Sequence, residues 1–335
     1  MPRQPKHKRP TQRSIAQEVG ISVGAVSRAL SDDPHISLET RERVQSIADQ
    51  MGYVPDRAAQ RLRTGRTNVI GLILSPHEEL LGFGTSFVRG ASEALDGSPY
   101  HLVVIPTFGT DATNSTVQRV VENGLADGIL LSRAEPNDLR ARYLIENNFP
   151  FVSHGRTELA TPHPYVDFDN FAFAYQAVHD LATLGADHQL ILMPPPHLTF
   201  HHHVAQGVSK AALETGATVH AIEDVTLDSR PNKICAAVKR CVDSVSEPIG
   251  LILPGDTSAL AAVAACDDLG LIPGQDIHLT IKQSSGAFGF VRPRMPSVFE
   301  DVAAAAKTMA DFLLKRIEGQ DPEDLQFFQD CKESE

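Results

Sequence analysis

Ile21-Ser22-Val23-Gly24-Ala25-Val26-Ser27-Arg28-Ala29-Leu30 is the stretch on which the reading of this chain turns. Just before it, Ile15, Ala16 and Val19 recur at helical spacing; Gly20, Ile21 and Ser22 interrupt; Val26, Ala29 and Leu30 then resume on one face. Two short helices crossing at a tight turn result. In such a unit the second helix, here residues 23–30, enters the major groove of DNA while its apolar face is held against the first. Ser22 stands at the N-cap, where its hydroxyl can satisfy an otherwise unpaired amide. Val23, Gly24 and Ala25, and one turn later Ser27 and Arg28, are then the residues offered to base edges. The guanidinium of Arg28 suits a bidentate contact with guanine, worth about 1 to 3 kcal/mol of discrimination; a phosphate or a neighbouring carboxylate is its other use. Val23 and Gly24 offer only a thymine-methyl contact and close approach, which leaves specificity to Arg28 and to DNA shape.

The same ten residues resemble the recognition segment of the LacI/GalR family of transcriptional regulators. The likeness continues in order along the chain. Ile36-Ser37-Leu38-Glu39-Thr40-Arg41-Glu42-Arg43-Val44 resembles the family's third helix, Met51-Gly52-Tyr53-Val54-Pro55 its exit, and Ala59-Gln60-Arg61-Leu62-Arg63-Thr64-Gly65 its hinge. Asn68-Val69-Ile70-Gly71-Leu72-Ile73 is similar to the opening strand of the sugar-binding-like core, and weaker matches reach almost to the C-terminus. Residues 1–55 are therefore expected to form a helix-turn-helix headpiece, 56–67 a hinge helix or linker, and 68–335 a periplasmic-binding-protein-like core for effector binding and dimerisation.

Within the hinge, Asp56 can cap a short helix from Arg57 to Leu62 that Gly65 can end. Alone it is too short to persist. Paired with its symmetry mate it could bury Ala58 and Ala59 where two backbones approach and push Leu62 into the minor groove as a wedge, a device that kinks DNA by about 20 to 90°; an ordinary linker with Leu62 packed on the core is the alternative. The DNA-binding residues expected are thus Ser22, Val23, Gly24, Ala25, Ser27, Arg28, Arg57, Ala58, Ala59 and Leu62.

Charge supports this division. The chain carries −12 overall, but through Arg66 it holds twelve Lys and Arg against seven Asp and Glu, a surplus of +5 that leaves −17 for the remainder. Arg3, Lys6, Lys8, Arg9 and Arg13 can neutralise phosphates, each released counterion steepening the salt dependence by about 0.9 in log-log slope; a solubilising tail is the other reading of residues 1–10. The 335 residues exceed one ordinary domain, and 42% hydrophobic with 21% charged residues are globular proportions. No run approaches the ~18 apolar residues of a membrane helix. Residues 1–13 are basic and polar, unlike a secretory leader, so a cytoplasmic, nucleoid-associated protein without a membrane partner is expected. Cys235, Cys241, Cys266 and Cys331 lack paired zinc-type spacing and read as free thiols.

From residue 68 onward short apolar runs alternate with helical stretches, which is a parallel α/β pattern. Runs at 69–74, 101–105, 128–131 and 151–153, then 189–193, 219–222, 249–253 and 278–281, with helices such as 171–184 and 257–269, make two doubly wound lobes. The fold class is a small all-α headpiece plus this two-lobed α/β core. The resemblance implies crossovers near Val166 and Met295, giving an N-lobe of about 68–165 and 295–320 and a C-lobe of about 166–294 and 321–335.

Ligands of such sheets bind beyond the carboxyl ends of the strands, here in a cleft between lobes that can close by hinge motion. The strand ends nominate Pro76, His77 and Phe83, then His154 and Arg156, then a loop over 197–203 with His202 and His203, then Asp256, Lys282 and Gln283. Asp256 occupies the place of the family's Asn-Asp pair, with Gly255 where the Asn usually stands. Val204, before Gly207, replaces the family's sugar-clamping Arg, and Ile281-Lys282-Gln283-Ser284 replaces its Gly-Phe/Tyr-Asp-Asp. Lys282, Arg156 and several imidazoles suit an anionic effector, since Lys and Arg pair well with carboxylate and phosphate. A sugar phosphate or sugar acid is accordingly expected, with a neutral sugar as the alternative.

His197 and His201 to His203 admit three readings: surface side chains, effector contacts, or a metal site, which lacks flanking acidic or cysteine ligands. No metal and no cofactor is expected. No phosphate-binding Gly-Lys-Ser/Thr loop or Gly-x-Ser-x-Gly elbow occurs, and no spacing assigns acids or bases to catalysis. The sequence thus reads as a non-enzymatic regulator, repressor favoured over activator. It would bind a pseudo-palindromic double-stranded operator as a homodimer, a higher oligomer being open, under control of a small metabolite. A two-lobe sugar-phosphate-binding protein or enzyme is the more distant alternative.

Overall fold

The structure is a computed structural model that describes residues 10–53, 61, 65–74, 80–107, 110–243 and 249–331. The chain divides into two compact units, Met1–Thr67 and Asn68–Glu335. In the first, α1 (Gln12–Val19), α2 (Val23–Ala29) and α3 (Leu38–Gln50) each begin at a hydroxyl cap. Thr11 and Ser14 form a reciprocal capping box, Ser22 Oγ accepts from the Ala25 amide at 3.1 Å, and Ser37 Oγ from Thr40 at 3.3 Å. Gly20, with φ of 78°, ends α1 in the left-handed conformation that a side chain would resist. Helices this short hold only by packing. Ile15, Val19, Val26, Ala29, Val44 and Ala48 supply it as one buried cluster.

The second unit carries two all-parallel sheets. In chain order its elements are β1 (Val69–Leu74), α4 (Leu80–Leu95), β2 (His101–Pro106), α5 (Thr110–Glu122), β3 (Gly128–Leu131), α6 (Leu139–Glu146), β4 (Phe151–His154), β5 (Tyr165–Phe168), α7 (Asn170–Thr183), β6 (His188–Ile191), α8 (Thr199–Thr215), β7 (Thr218–Ala221), α9 (Pro231–Asp243), β8 (Ile249–Leu253), α10 (Asp256–Asp268), β9 (Ile277–Gln283), β10 (Ser297–Phe299), α11 (Val302–Ile317) and β11 (Gln326–Gln329). The first sheet runs β11-β5-β4-β3-β1-β2 and the second β10-β9-β8-β6-β7. The central strands β1, β3 and β8 are apolar almost throughout because helices cover both faces.

The chain leaves the first sheet only after β5 and the second only after β10, a few residues beyond the expected crossovers. Moreover β11 pairs in parallel with β5, Gln326 opposite Tyr165, so this segment lies in the sheet of the first lobe rather than in the C-lobe to which 321–335 was assigned. The loop expected at 197–203 is also corrected: from Thr199 it is the first turn of α8, a 17-residue helix. Pro194 to Pro196 stop any helix upstream, but nothing inside 199–215 breaks one.

Candidate functional site

On the first unit, Ser22, Val23, Gly24 and Arg28 are exposed, and Ala25 and Ser27 half-buried, on the side of α2 opposite Val26 and Ala29. Arg57, Ala58, Ala59 and Leu62 lie outside the described residues, as does His77.

In the second unit a cavity of about 130 Å³ lies between the lobes, beyond the carboxyl ends of their strands. Of the expected effector residues, Phe83, His154, Asp256, Lys282 and Gln283 line it; Arg156, His202 and His203 do not. Asn170, Asp167, Glu300, Phe200, Arg133 and Asp228 line it unannounced by the sequence reading. Asp167 and Glu300 are charged residues beside apolar strand ends, a signal that could have pointed to them.

Lys282, at the end of β9, is buried and fully engaged. Its Nζ donates to Glu300 Oε2 at 2.6 Å and Asn170 Oδ1 at 2.8 Å, and lies 4.1 Å from the centroid of the Phe200 ring. Burial alone would raise the Glu300 carboxyl; the Lys282 ammonium, through its charge and its hydrogen bond, outweighs it and holds the group below its usual range. His154 Nε2 stands 3.5 Å from Glu300 Oε1 without a hydrogen bond. Burial, with Lys282 adding to it, lowers the His154 pKa against the pull of Glu300, so this imidazole is neutral and the contact is not an ion pair. Asp256 and Gln283 are committed too. The Asp256 carboxylate accepts from the Ser284 amide and hydroxyl, both at 2.8 Å, and from Ser285 Oγ at 2.7 Å. Gln283 donates to Ser297 Oγ and accepts from the Phe288 amide.

The expectation of a cationic cleft is corrected by these contacts. Lys282 is neutralised by Glu300, Arg133 by Asp228, and Arg156, outside the cavity, faces Asp167 Oδ2 at 3.3 Å. Among the described residues the lining holds two cations, Arg133 and Lys282, against four acidic side chains, Asp167, Asp228, Asp256 and Glu300. The histidines diverge because successive helical residues turn by about 100°. His201 Nδ1 reaches Pro194 O at 2.7 Å, His202 Nδ1 reaches Glu158 Oε1 at 3.4 Å, and His203 Nε2 accepts from Arg156 Nε at 3.4 Å. Burial, with the charge of Arg156, pushes His203 down to about 4, so it is neutral at pH 7. Among the described residues no group of three His, Cys, Asp or Glu side chains is placed to hold a metal ion.

Among the described residues, three buried polar atoms at the cavity are without a hydrogen-bond partner: His154 Nε2, Asp167 Oδ2 and Thr199 Oγ1. Burial raises Asp167 from its usual 3.8 to about 7, against the opposing charge of Arg156. A carboxyl raised in the folded state stabilises the fold while protonated, fully below about pH 4, and that contribution is lost as pH climbs through 7. Asp167→Asn is therefore expected to be more stable than the parent at pH 8, by up to about 4 kcal/mol, with the gap closing toward pH 4. Urea unfolding at the two pH values measures this, and equal stability at pH 8 would contradict it.

Residues 11–56 match the bacterial regulatory proteins of the lacI family, and residues 178–327 a periplasmic-binding-protein-like domain. The HTH-type transcriptional regulator AglR of Rhizobium meliloti (strain 1021) is 32% identical over 277 residues, which cover 80% of this chain and 76% of that protein. The chain belongs to the LacI family. It is a transcriptional regulator with a helix-turn-helix DNA-binding unit and a two-lobed core. HTH-type transcriptional regulator CelR of Thermobifida fusca is 27% identical over 328 residues, 95% of each chain. Among LacI-family structures, the lac repressor dimer bound to operator and the anti-inducer ONPF superposes with a TM-score of 0.84 at 20% identity, covering 98% of both chains. A transcriptional regulator CelR-cellobiose complex does so at 0.69 and 24%, covering 98% of this chain and 99% of that one. At these identities the structural likeness speaks for the fold. No described helix is long and apolar enough to cross a membrane.

Proposed function

We propose that this LacI-family regulator binds a pseudo-palindromic operator as a homodimer, acts as a repressor, and is controlled by a neutral saccharide held in the cleft between its lobes. The observation that carries the effector class is the spent charge of that cleft: among the described residues its two cations are paired and four acidic side chains line it. An added phosphate or carboxylate would meet net negative charge at short range, where repulsion is strong. Hydroxyl groups suit such a site. They donate to carboxylate and imidazole acceptors such as Asp167 Oδ2 and His154 Nε2, while Phe83 and Phe200 offer apolar ring surface. The relative CelR, solved with cellobiose, agrees with this chemistry.

A thermal-shift panel of neutral mono-, di- and trisaccharides beside sugar phosphates and sugar acids tests the class. Stabilisation by a neutral sugar is expected, and stabilisation by anionic sugars alone would overturn the reading. Control of DNA is tested by gel shift on the region upstream of the protein's own gene, with and without the sugar that stabilises it.

For the headpiece, Arg28→Ala is expected to cost operator affinity about 1 to 3 kcal/mol, on the order of 10- to 100-fold, and to leave non-specific DNA binding nearly unchanged. Uniform weakening on all sequences, with a salt slope shallower by about 1, would instead assign Arg28 to a phosphate.

A further inference from the structure

Arg133, immediately beyond β3 in the first lobe, reaches across to Asp228, beyond β7 in the second, with Nη1 to Oδ1 at 3.0 Å and Nη2 to Oδ2 at 2.5 Å. This is a bidentate fork on carboxylate, the strongest geometry available to a charged pair. Both side chains are largely buried, at 17% and 31% exposure, so water screens them less than a surface pair. Beside it a second link joins the lobes: the Thr199 amide at the start of α8 donates to Ala134 O at 3.0 Å.

The strand order explains why this position matters. The chain passes between lobes beside β5, β10 and β11, which lie at one edge of each sheet, whereas β7 is the opposite edge of the second sheet and β3 lies well inside the first. Leu227, next to Asp228, donates to Met193 O just beyond β6, so the Asp228 end of the pair stands on the side of the second sheet away from β10. A rotation about the connectors moves atoms there more than atoms beside β5 and β10, so an ion pair there acts with a lever arm.

The Arg133 backbone is itself held in place for this. Its φ of 60° is left-handed, a conformation that non-glycine residues adopt rarely and at a cost of order 1 to 3 kcal/mol. The buried Arg140, anchored on Asp138 Oδ1 at 2.9 Å, donates to the carbonyls of Ser132 at 3.2 Å and Arg133 at 2.9 Å on either side of that kink. Without the kink the chain beyond β3 would continue in the extended direction.

We propose that Arg133 and Asp228 form a latch that holds the lobes together on the side remote from the connectors. Arg140 acts as its positioning residue, and whatever occupies the cleft is bound through the closed arrangement the latch favours. The cleft's role as effector site comes from the proposed function above, but the latch is tested without added ligand, so the two readings fail separately.

The reporter is the Thr199 amide. As the first residue of α8 it has no partner within the helix; its hydrogen bond is the one across the cleft. Hydrogen exchange of the full chain, without saccharide, is compared for the parent, Arg133→Ala, Asp228→Ala and the reversed pair Arg133→Asp/Asp228→Arg. Each single variant is expected to speed Thr199 exchange at least about tenfold, a change of 1.4 kcal/mol in the lobe equilibrium. The Gly216 amide, which donates to Ala212 O at the far end of the same helix, should stay unchanged. The reversed pair should recover most of the protection, and 1 M salt should speed Thr199 in the parent more than in Arg133→Ala. Unchanged Thr199 exchange in both single variants would overturn the latch, as would equal acceleration of Thr199 and Gly216 or a reversed pair no slower than the singles.

Discussion

Lys282→Met is expected to destabilise the core by about 3 to 5 kcal/mol, although Met fills nearly the same space. The reason lies in what is left behind. Glu300 is buried, and its Oε2 takes its hydrogen bond from Lys282. Without that cation the carboxylate keeps its desolvation penalty and loses its hydrogen-bonded counter-charge. The loss should depend on pH with a definite sign. Lacking Lys282, Glu300 has a folded pKa raised above its unfolded value, so the variant is least impaired below about pH 4 and worsens as pH rises toward neutrality.

The double variant Lys282→Met/Glu300→Leu separates pairing from packing. Buried ion pairs replaced as a whole by apolar groups are often neutral in stability, so the double variant should recover most of what the single one loses. Urea unfolding followed by circular dichroism reads both. A loss below 1 kcal/mol in the single variant, or a double variant as unstable as the single, would refute the account.

Gly90→Ala should cost about 3 kcal/mol, against the usual gain of about 1 kcal/mol for Ala over Gly inside a helix. Gly90 lies on α4 where this helix meets α11, and an added methyl there would stand 1.9 Å from Ala303 O and 2.9 Å from Ala303 Cα. These are backbone atoms of a second helix and cannot rotate away. The helices would have to part, loosening Phe87, Ala91, Val302, Ala306 and Met309, which pack together at the centre of the first lobe. The midpoint of urea unfolding tests this; a midpoint at or above that of the parent would show that the contact relaxes freely.

The headpiece was legible in the sequence because its determinants are local. A hydroxyl cap at Ser22, a left-handed Gly20 and apolar residues at helical spacing act within one or two turns, and they mark helix ends whatever lies elsewhere. The strands of the two lobes were legible for a related reason, since β1, β3 and β8 are short apolar runs between helices. Three strands left no such mark. β5, β10 and β11 are three or four residues long, carry polar residues such as Asp167, Ser297 and Gln326, and are strands only because a neighbour pairs with them. They are also the segments beside which the chain changes lobe, which is why the expected C-lobe tail lay instead in the first sheet.

The cleft shows the limit most clearly. The sequence determined that Lys282, Gln283, His154 and Asp256 stand at or just beyond strand ends, because strand periodicity and chain direction set which residues lie there, whereas Phe83 reaches the cleft from the first turn of α4. Only the tertiary structure decided what those residues are free to do. Glu300 is 18 positions from Lys282, Asn170 is 112, and Asp228 is 95 from Arg133, and each removes a charge or donor that the sequence alone leaves open. Charge type is a local property written in the chain. Net charge in a cleft is a sum over partners brought together from distant segments, and the fold alone sets that sum.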